Sequence, residues 1–155
     1  MPAWTPKAFS STTPRRNLRP ANGLVSVEAV AWSPGGRALL IGGARDSASY
    51  ARHEVWGLVG SPHLLHRTDP SSQNRYVALQ WSRSGEFYMS AGEGDYNQGQ
   101  RGVVVCRAVD GAFVFNISEH RIGALDAVWT SDMSAIYSTD WDGVLVKTEV
   151  TIGSN

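Results

Sequence analysis

Trp32-Ser33-Pro34-Gly35-Gly36 returns as Trp81-Ser82-Arg83-Ser84-Gly85 and, less closely, as Trp129-Thr130-Ser131-Asp132-Met133. The tryptophans stand 49 and 48 residues apart, and a strand-like run follows each: Ala38–Ile41, Phe87–Ser90 and Ala135–Ser138. A fixed period of this size predicts stacked copies of one supersecondary unit. Upstream of each Trp, apolar residues alternate (Val30/Trp32, Val77/Leu79/Trp81, Leu125/Ala127/Trp129), which puts them on one face of a strand. Gly36 and Gly85 lie four residues past their tryptophans, where a hairpin turn needs positive φ. Met133 fills that slot in the third copy without glycine's freedom. Third strands are expected at His53–Leu58, Gly102–Val109 and Val144–Val150, and fourth strands at His63–His66 and Ala112–Ile117. The expectation is an all-β chain of about eleven antiparallel strands in three meanders, the last lacking its fourth strand.

The 155 residues are 42% hydrophobic, enough to bury a core. Fourteen acidic residues balance fourteen basic ones, which argues against a nucleic-acid partner. The balance is uneven along the chain. Lys7, Arg15, Arg16 and Arg19 face no acid in the first 25 residues, so residues 26–155 carry a net charge of −4. Residues 1–22, with Pro2, Pro6, Pro14 and Pro20 and a Ser/Thr run, are expected to form a flexible basic arm. The same prolines weaken its reading as a mitochondrial presequence. Cys106 stands alone, which excludes an intrachain disulfide and a cysteine-rich metal site and suits a reducing compartment. No apolar run approaches the ~20 residues of a membrane span, and the N-terminus shows no secretory h-region. The expected compartment is the cytoplasm, with the nucleus as the alternative, and no membrane partner is expected.

A four-stranded meander opening on aromatic-Ser-x-x-Gly resembles the repeat of the WD40 family. The resemblance covers residues 23–155, as blades of about 23–70, 71–118 and 119–155. The period exceeds the family's ~40–45 residues because the connections Gly43–Arg52 and Gly92–Arg101 are long, whereas Thr139–Gly143 is short. The family's Trp-Asp slots read Trp56-Gly57, Cys106-Arg107 and Thr148-Glu149, and its Gly-His slot reads Glu119-His120 only in the third copy. The resemblance implies a partial β-propeller of three four-stranded blades, the last incomplete. It also implies that His120, Ser138 and Asp142 belong to a buried hydrogen-bond network, with Thr148 where the family places tryptophan. The implied function is a non-catalytic protein-interaction scaffold, or a fragment of a larger propeller.

A single blade cannot bury both its faces, so stacking supplies the core. Trp32, Trp81 and Trp129 are the expected anchors of the layers between sheets, joined by Leu39, Ile41, Tyr88, Ile136 and Tyr137. Truncating a buried Trp to Ala typically costs ~3–5 kcal/mol. Three blades fall short of the ~4–8 of closed propellers. An open arc leaves apolar end faces and unpaired edges. Three solutions stay open: a fragment of a longer propeller, two copies closing a six-bladed ring, or a protein partner that supplies the missing blades.

Signals for catalysis are thin, and no catalytic, cofactor-binding or metal-ligating residue is assigned. Cys106 follows Val103-Val104-Val105 and is expected to be a buried small residue. Asp140-Trp141-Asp142-Gly143 lacks the further ligands and closing Glu of a calcium loop and reads as a β-turn. His63 and His66 would point to opposite sides of a strand. The binding residues are expected on the face that carries the second-to-third-strand connections: Arg45, Tyr50, Arg52, Asp95, Tyr96, Arg101 and Trp141. Tyr, Trp and Arg dominate interaction hot spots. The rival class is a metal-dependent propeller hydrolase or lactonase, which needs acidic or His ligands converging on a central channel.

Overall fold

The computed structural model describes residues 24, 26–44, 51–69, 73–95 and 100–151, and among these there are eleven strands and no helix. The expected arm of residues 1–22 lies outside the described residues. β1 (Ala29–Trp32), β2 (Ala38–Ala44), β3 (Ala51–Gly57) and β4 (His63–Thr68) form one antiparallel sheet in sequence order. β5 (Gln73–Trp81), β6 (Phe87–Asp95), β7 (Gln100–Arg107) and β8 (Phe113–Ile117) form the second. β9 (Ala124–Trp129), β10 (Ala135–Asp140) and β11 (Leu145–Glu149) form a third of three strands.

One turn, built three times, starts each sheet. The amides of Gly36, Gly85 and Met133 donate to the carbonyls of Ser33, Ser82 and Thr130 at 2.8, 3.0 and 3.0 Å. The residue after each Trp also accepts through its hydroxyl. The amides of Ala38, Phe87 and Ala135 each reach the Ser33, Ser82 or Thr130 hydroxyl oxygen at 3.0 Å. All three turns need a left-handed residue at the same place, and φ is 65° at Gly36, 76° at Gly85 and 63° at Met133. The repeated Trp-Ser/Thr dipeptide thus specifies a hairpin that caps its own ladder.

The hairpins that follow are longer than the sequence suggests. β2 pairs with β3 as far as Ala44↔Ala51, and β6 with β7 as far as Asp95↔Gln100. Ladder pairing therefore absorbs residues expected in the connections, and Arg52, Asp95 and Arg101 lie on strands.

The sheets stack face to face. Ala31, Leu40 and Val55 of the first pack against Leu79, Trp81, Tyr88, Val104 and Cys106 of the second. Met89, Val103, Val105 and Ile117 on the other side of the second sheet pack against Ala127, Trp129 and Ile136 of the third. Adjacent residues of β7 serve opposite layers, as the period of two requires.

Trp32 corrects an expectation. Its position on β1 matches that of Trp81 on β5, yet it is 61% exposed. Its face of the first sheet points away from the second, and no sheet of the described residues lies beyond it. Trp81 and Trp129 lie in the two layers.

Candidate interaction surfaces

Among the described residues the stack has two ends, and both are apolar and uncovered. On the first sheet Val30 and Trp32 are exposed side by side on β1, next to the half-buried Leu39 of β2. On the third, Val128 and Leu145 are exposed beside the half-buried Tyr137. Leu145 is 63% exposed, whereas Val103, its equivalent one sheet earlier, is fully buried. Side chains that the repeat builds for burial stand in water here.

The end of the stack carrying the β2–β3, β6–β7 and β10–β11 connections presents Trp141, which is 63% exposed. Asp140 and Gly143 close the turn beneath it through Gly143 N–H to Asp140 O at 3.3 Å, with φ 76° at Gly143. Arg45, Tyr50 and Tyr96 lie outside the described residues. Asp95 ends β6, and Arg101 is the second residue of β7. Arg52 was expected to face a partner, but its guanidinium forks onto Asp69 at 2.6 and 2.9 Å. That bidentate pair ties β3 to the end of β4.

The polar interior is spent on structure. His120 Nδ1 lies 3.2 Å from Asp140 Oδ2, and His120 Nε2 lies 2.7 Å from Ser138 Oγ. A carboxylate only accepts, so Nδ1 donates to Asp140 and Nε2 accepts from the Ser138 hydroxyl. The order Ser–His–Asp is that of a hydrolytic triad. All three groups are buried, however, and Asp140 Oδ1 is occupied by the Asp142 and Val144 amides at 3.0 and 2.9 Å. These amide bonds, the Val144 one foremost, and His120 hold the Asp140 carboxyl below its usual range. The group fastens the segment before β9 to the β10–β11 turn.

Asp140, not Asp142, is the carboxylate of this network. Asp142 is exposed and lies 3.4 Å from Arg121. Strand alternation gives the reason, because Ile136, Ser138 and Asp140 share the face of β10 that carries the second layer.

Two clusters went unnoticed in the sequence. Glu54, opposite Arg67 on the β3–β4 ladder, accepts from Arg67 Nε at 2.8 Å and from the Trp56 indole N–H at 2.9 Å. The alternation Glu54-x-Trp56 was the available signal. The β7–β8 turn also docks on β4. His66 Nε2 lies 2.8 Å from Ala108 O, and the Thr68 hydroxyl donates to Gly111 O at 3.2 Å. Gly111 has φ 73°, and a Cβ there would run into Thr68 Oγ1. Contacts 42 and 43 residues apart leave no local signature. Tyr88 lies beneath, fully buried, edge-on to His53 at 5.3 Å. Burial pushes the Tyr88 hydroxyl well above its usual range and the neighbouring Cys106 thiol up to about 11. That keeps the thiol protonated and unreactive near neutral pH.

A recess of about 240 Å³ opens between the second and third sheets, lined by Phe87, Val105, Phe115, Trp129 and Val150. No three His, Cys, Asp or Glu side chains among the described residues are grouped to hold a metal ion.

The sequence matches no family model and no curated protein. The structure is similar to solved WD40 domains. It matches the C-terminal WD40 domain of Sif2 with a TM-score of 0.60 at 15% identity, over 81% of this chain and 34% of that one. It matches a chain of the mitotic checkpoint complex with a TM-score of 0.64 at 19% identity, over 83% and 38%. It matches U3-55K with a TM-score of 0.63 at 13% identity, over 81% and 36%. The chain thus spans little more than a third of the length of each. Its fold is that of part of a WD40 β-propeller, three successive blades of an all-β stack.

Proposed function

We propose that this chain is a non-catalytic protein-interaction module, a partial propeller whose work is done through surfaces that other protein completes. The observation that carries the reading is the exposure of Val30 and Trp32 at one end of the stack and of Val128 and Leu145 at the other. Apolar repeat faces left in water are interaction surfaces or aggregation liabilities, and a folded module resolves that by binding. Trp141 adds an exposed anchor on the connection end, and Tyr50 and Tyr96 belong in sequence to the other two second-to-third-strand connections. One of the similar structures comes from a multiprotein assembly, the mitotic checkpoint complex. A reducing compartment such as the cytoplasm suits the lone, buried Cys106.

The test is quantitative capture of protein partners by the full chain and by Trp141→Ala, Tyr50→Ala and Tyr96→Ala variants. Selective loss of captured proteins with these variants, at unchanged circular dichroism, is expected. Equal capture by all four chains would overturn the assignment of the connection end. The rival reading, a metal-dependent hydrolase, predicts saturable heat when zinc, calcium or magnesium ions are titrated into the chain. The interaction reading predicts none.

A further inference from the structure

The repeat itself describes what fits the two open faces. Within the chain, one kind of face meets another kind twice. The face that carries the Trp, seen at Trp81 and Trp129, lies on the face that carries Leu40 and Val55 in the first sheet and Met89, Val103 and Val105 in the second. The Trp81 indole N–H donates to Ala31 O at 3.1 Å across the first of these layers. The faces left over are one of each kind. Trp32 stands where Trp81 and Trp129 stand, Val128 stands where Ala31 stands, and Leu145 stands where Val103 stands. Each free face is therefore shaped for the other, and the three sheets of the described residues do not bring the two faces together.

Charge disfavours one of the like-end pairings. Residues 23–70 hold four basic and four acidic residues, a net of zero, the surplus Lys7, Arg15, Arg16 and Arg19 lying outside the described residues. Residues 71–118 hold four of each, and residues 119–155 hold two basic and six acidic residues, a net of −4. Joining two third sheets would set −4 against −4, whereas joining a third sheet to a first sheet sets −4 beside a neutral one.

We propose that a second copy of this chain covers these faces, docking head to tail. Trp32 of one copy lies against Val128 and Leu145 of the next, and its indole N–H reaches the Val128 carbonyl as Trp81 reaches that of Ala31. The proposal rests on the interaction reading above and names its partner. The contact is heterologous, so two copies either close a ring of six sheets, within the ~4–8 of closed propellers, or extend into a chain of copies.

The test uses the full chain in size-exclusion chromatography with light scattering at low salt. Particles of twice the 16.8 kDa chain mass, or a series of multiples of it, are expected. Trp32→Ser and Leu145→Asp replace side chains more than 60% exposed, so both variants should fold and both should be monomers. Mixed together they should restore a one-to-one complex, because each keeps the face that the other lost. Val30→Ser and Val128→Asp repeat the pair of tests if either first variant loses its circular dichroism. A monomeric wild type across the concentration range overturns the proposal, as does association that survives in both variants or a mixture that stays monomeric. A monomer that still captures other proteins through Trp141 sinks the second copy alone and leaves the interaction reading standing.

Discussion

The Trp81 indole N–H donates to the Ala31 carbonyl at 3.1 Å, fastening β5 of the second sheet to β1 of the first. Trp129 holds the same place in the third sheet, buried to 9% exposure, yet its indole N–H finds no acceptor among the described residues. Phenylalanine therefore has unequal consequences at the two positions. Trp81→Phe removes a satisfied donor and leaves Ala31 O to find another partner, at a cost of about 1 kcal/mol beyond the lost ring area. Trp129→Phe removes an orphan buried donor, and the relief offsets the lost area. Urea unfolding should show a larger drop in midpoint for Trp81→Phe, and the reverse order would refute this account of the two layers.

The turn glycines give a purely backbone prediction. A Cβ added at Gly36 meets nothing within 4 Å, but φ there is 65°. Gly36→Ala should therefore cost about 1 kcal/mol from the left-handed backbone alone. Met133→Ala leaves the same φ of 63° in place while removing a side chain packed on the core of the second layer, whose sulfur also meets the Arg83 amide at 3.4 Å. It should destabilise as well, through lost packing. Calorimetry on both variants checks this, and an unchanged midpoint for Gly36→Ala would contradict it.

These turns mark how far the sequence could be read. The Trp-Ser/Thr spacing and the glycine slots were local signals, so three meanders and the odd Met133 were visible without coordinates. The open ends follow from the repeat count as a class, but the repeat alone predicts Trp32 in a layer, because sequence equivalence says nothing about whether a neighbouring sheet exists. Family analogy points to Asp142, whereas strand alternation from Trp129 through Ile136 and Ser138 points to Asp140. Glu54–Arg67 and Thr68–Gly111 depend on cross-strand and cross-sheet proximity, which no short window contains.

The network in the third sheet makes the Asp140 assignment testable. His120→Ala leaves Ser138 and Asp140 buried without their shared partner and should cost about 3 kcal/mol. Asp140→Asn should lower the unfolding midpoint, because the carboxylate serves two turn amides and His120. Asp142→Asn should change it little, since that group forms only an exposed pair with Arg121. Chemical denaturation of the three variants decides the matter. Equal loss for Asp142→Asn and Asp140→Asn would return Asp142 to the network.

Acid should loosen the first layer through His53. The ring is fully buried against Tyr88, and desolvation, with the nearby His66, lowers its pKa from 6.5 to about 3, while Asp69 acts weakly the other way. The unfolded chain binds a proton at this group below pH 6.5, and the folded chain does not until near pH 3. The stability is therefore complete above pH 6.5 and falls as the pH drops through that window, by up to about 1.4 kcal/mol per pH unit for the one proton. Unfolding free energies of wild type and His53→Gln, measured from pH 7.5 down to pH 4.5, should diverge, with the flatter profile belonging to the glutamine variant. The sites of early acid exchange should be amides of β3 and β6, which carry His53 and Tyr88, before those of the second layer. Parallel profiles for the two proteins would mean that His53 is not held neutral in the fold.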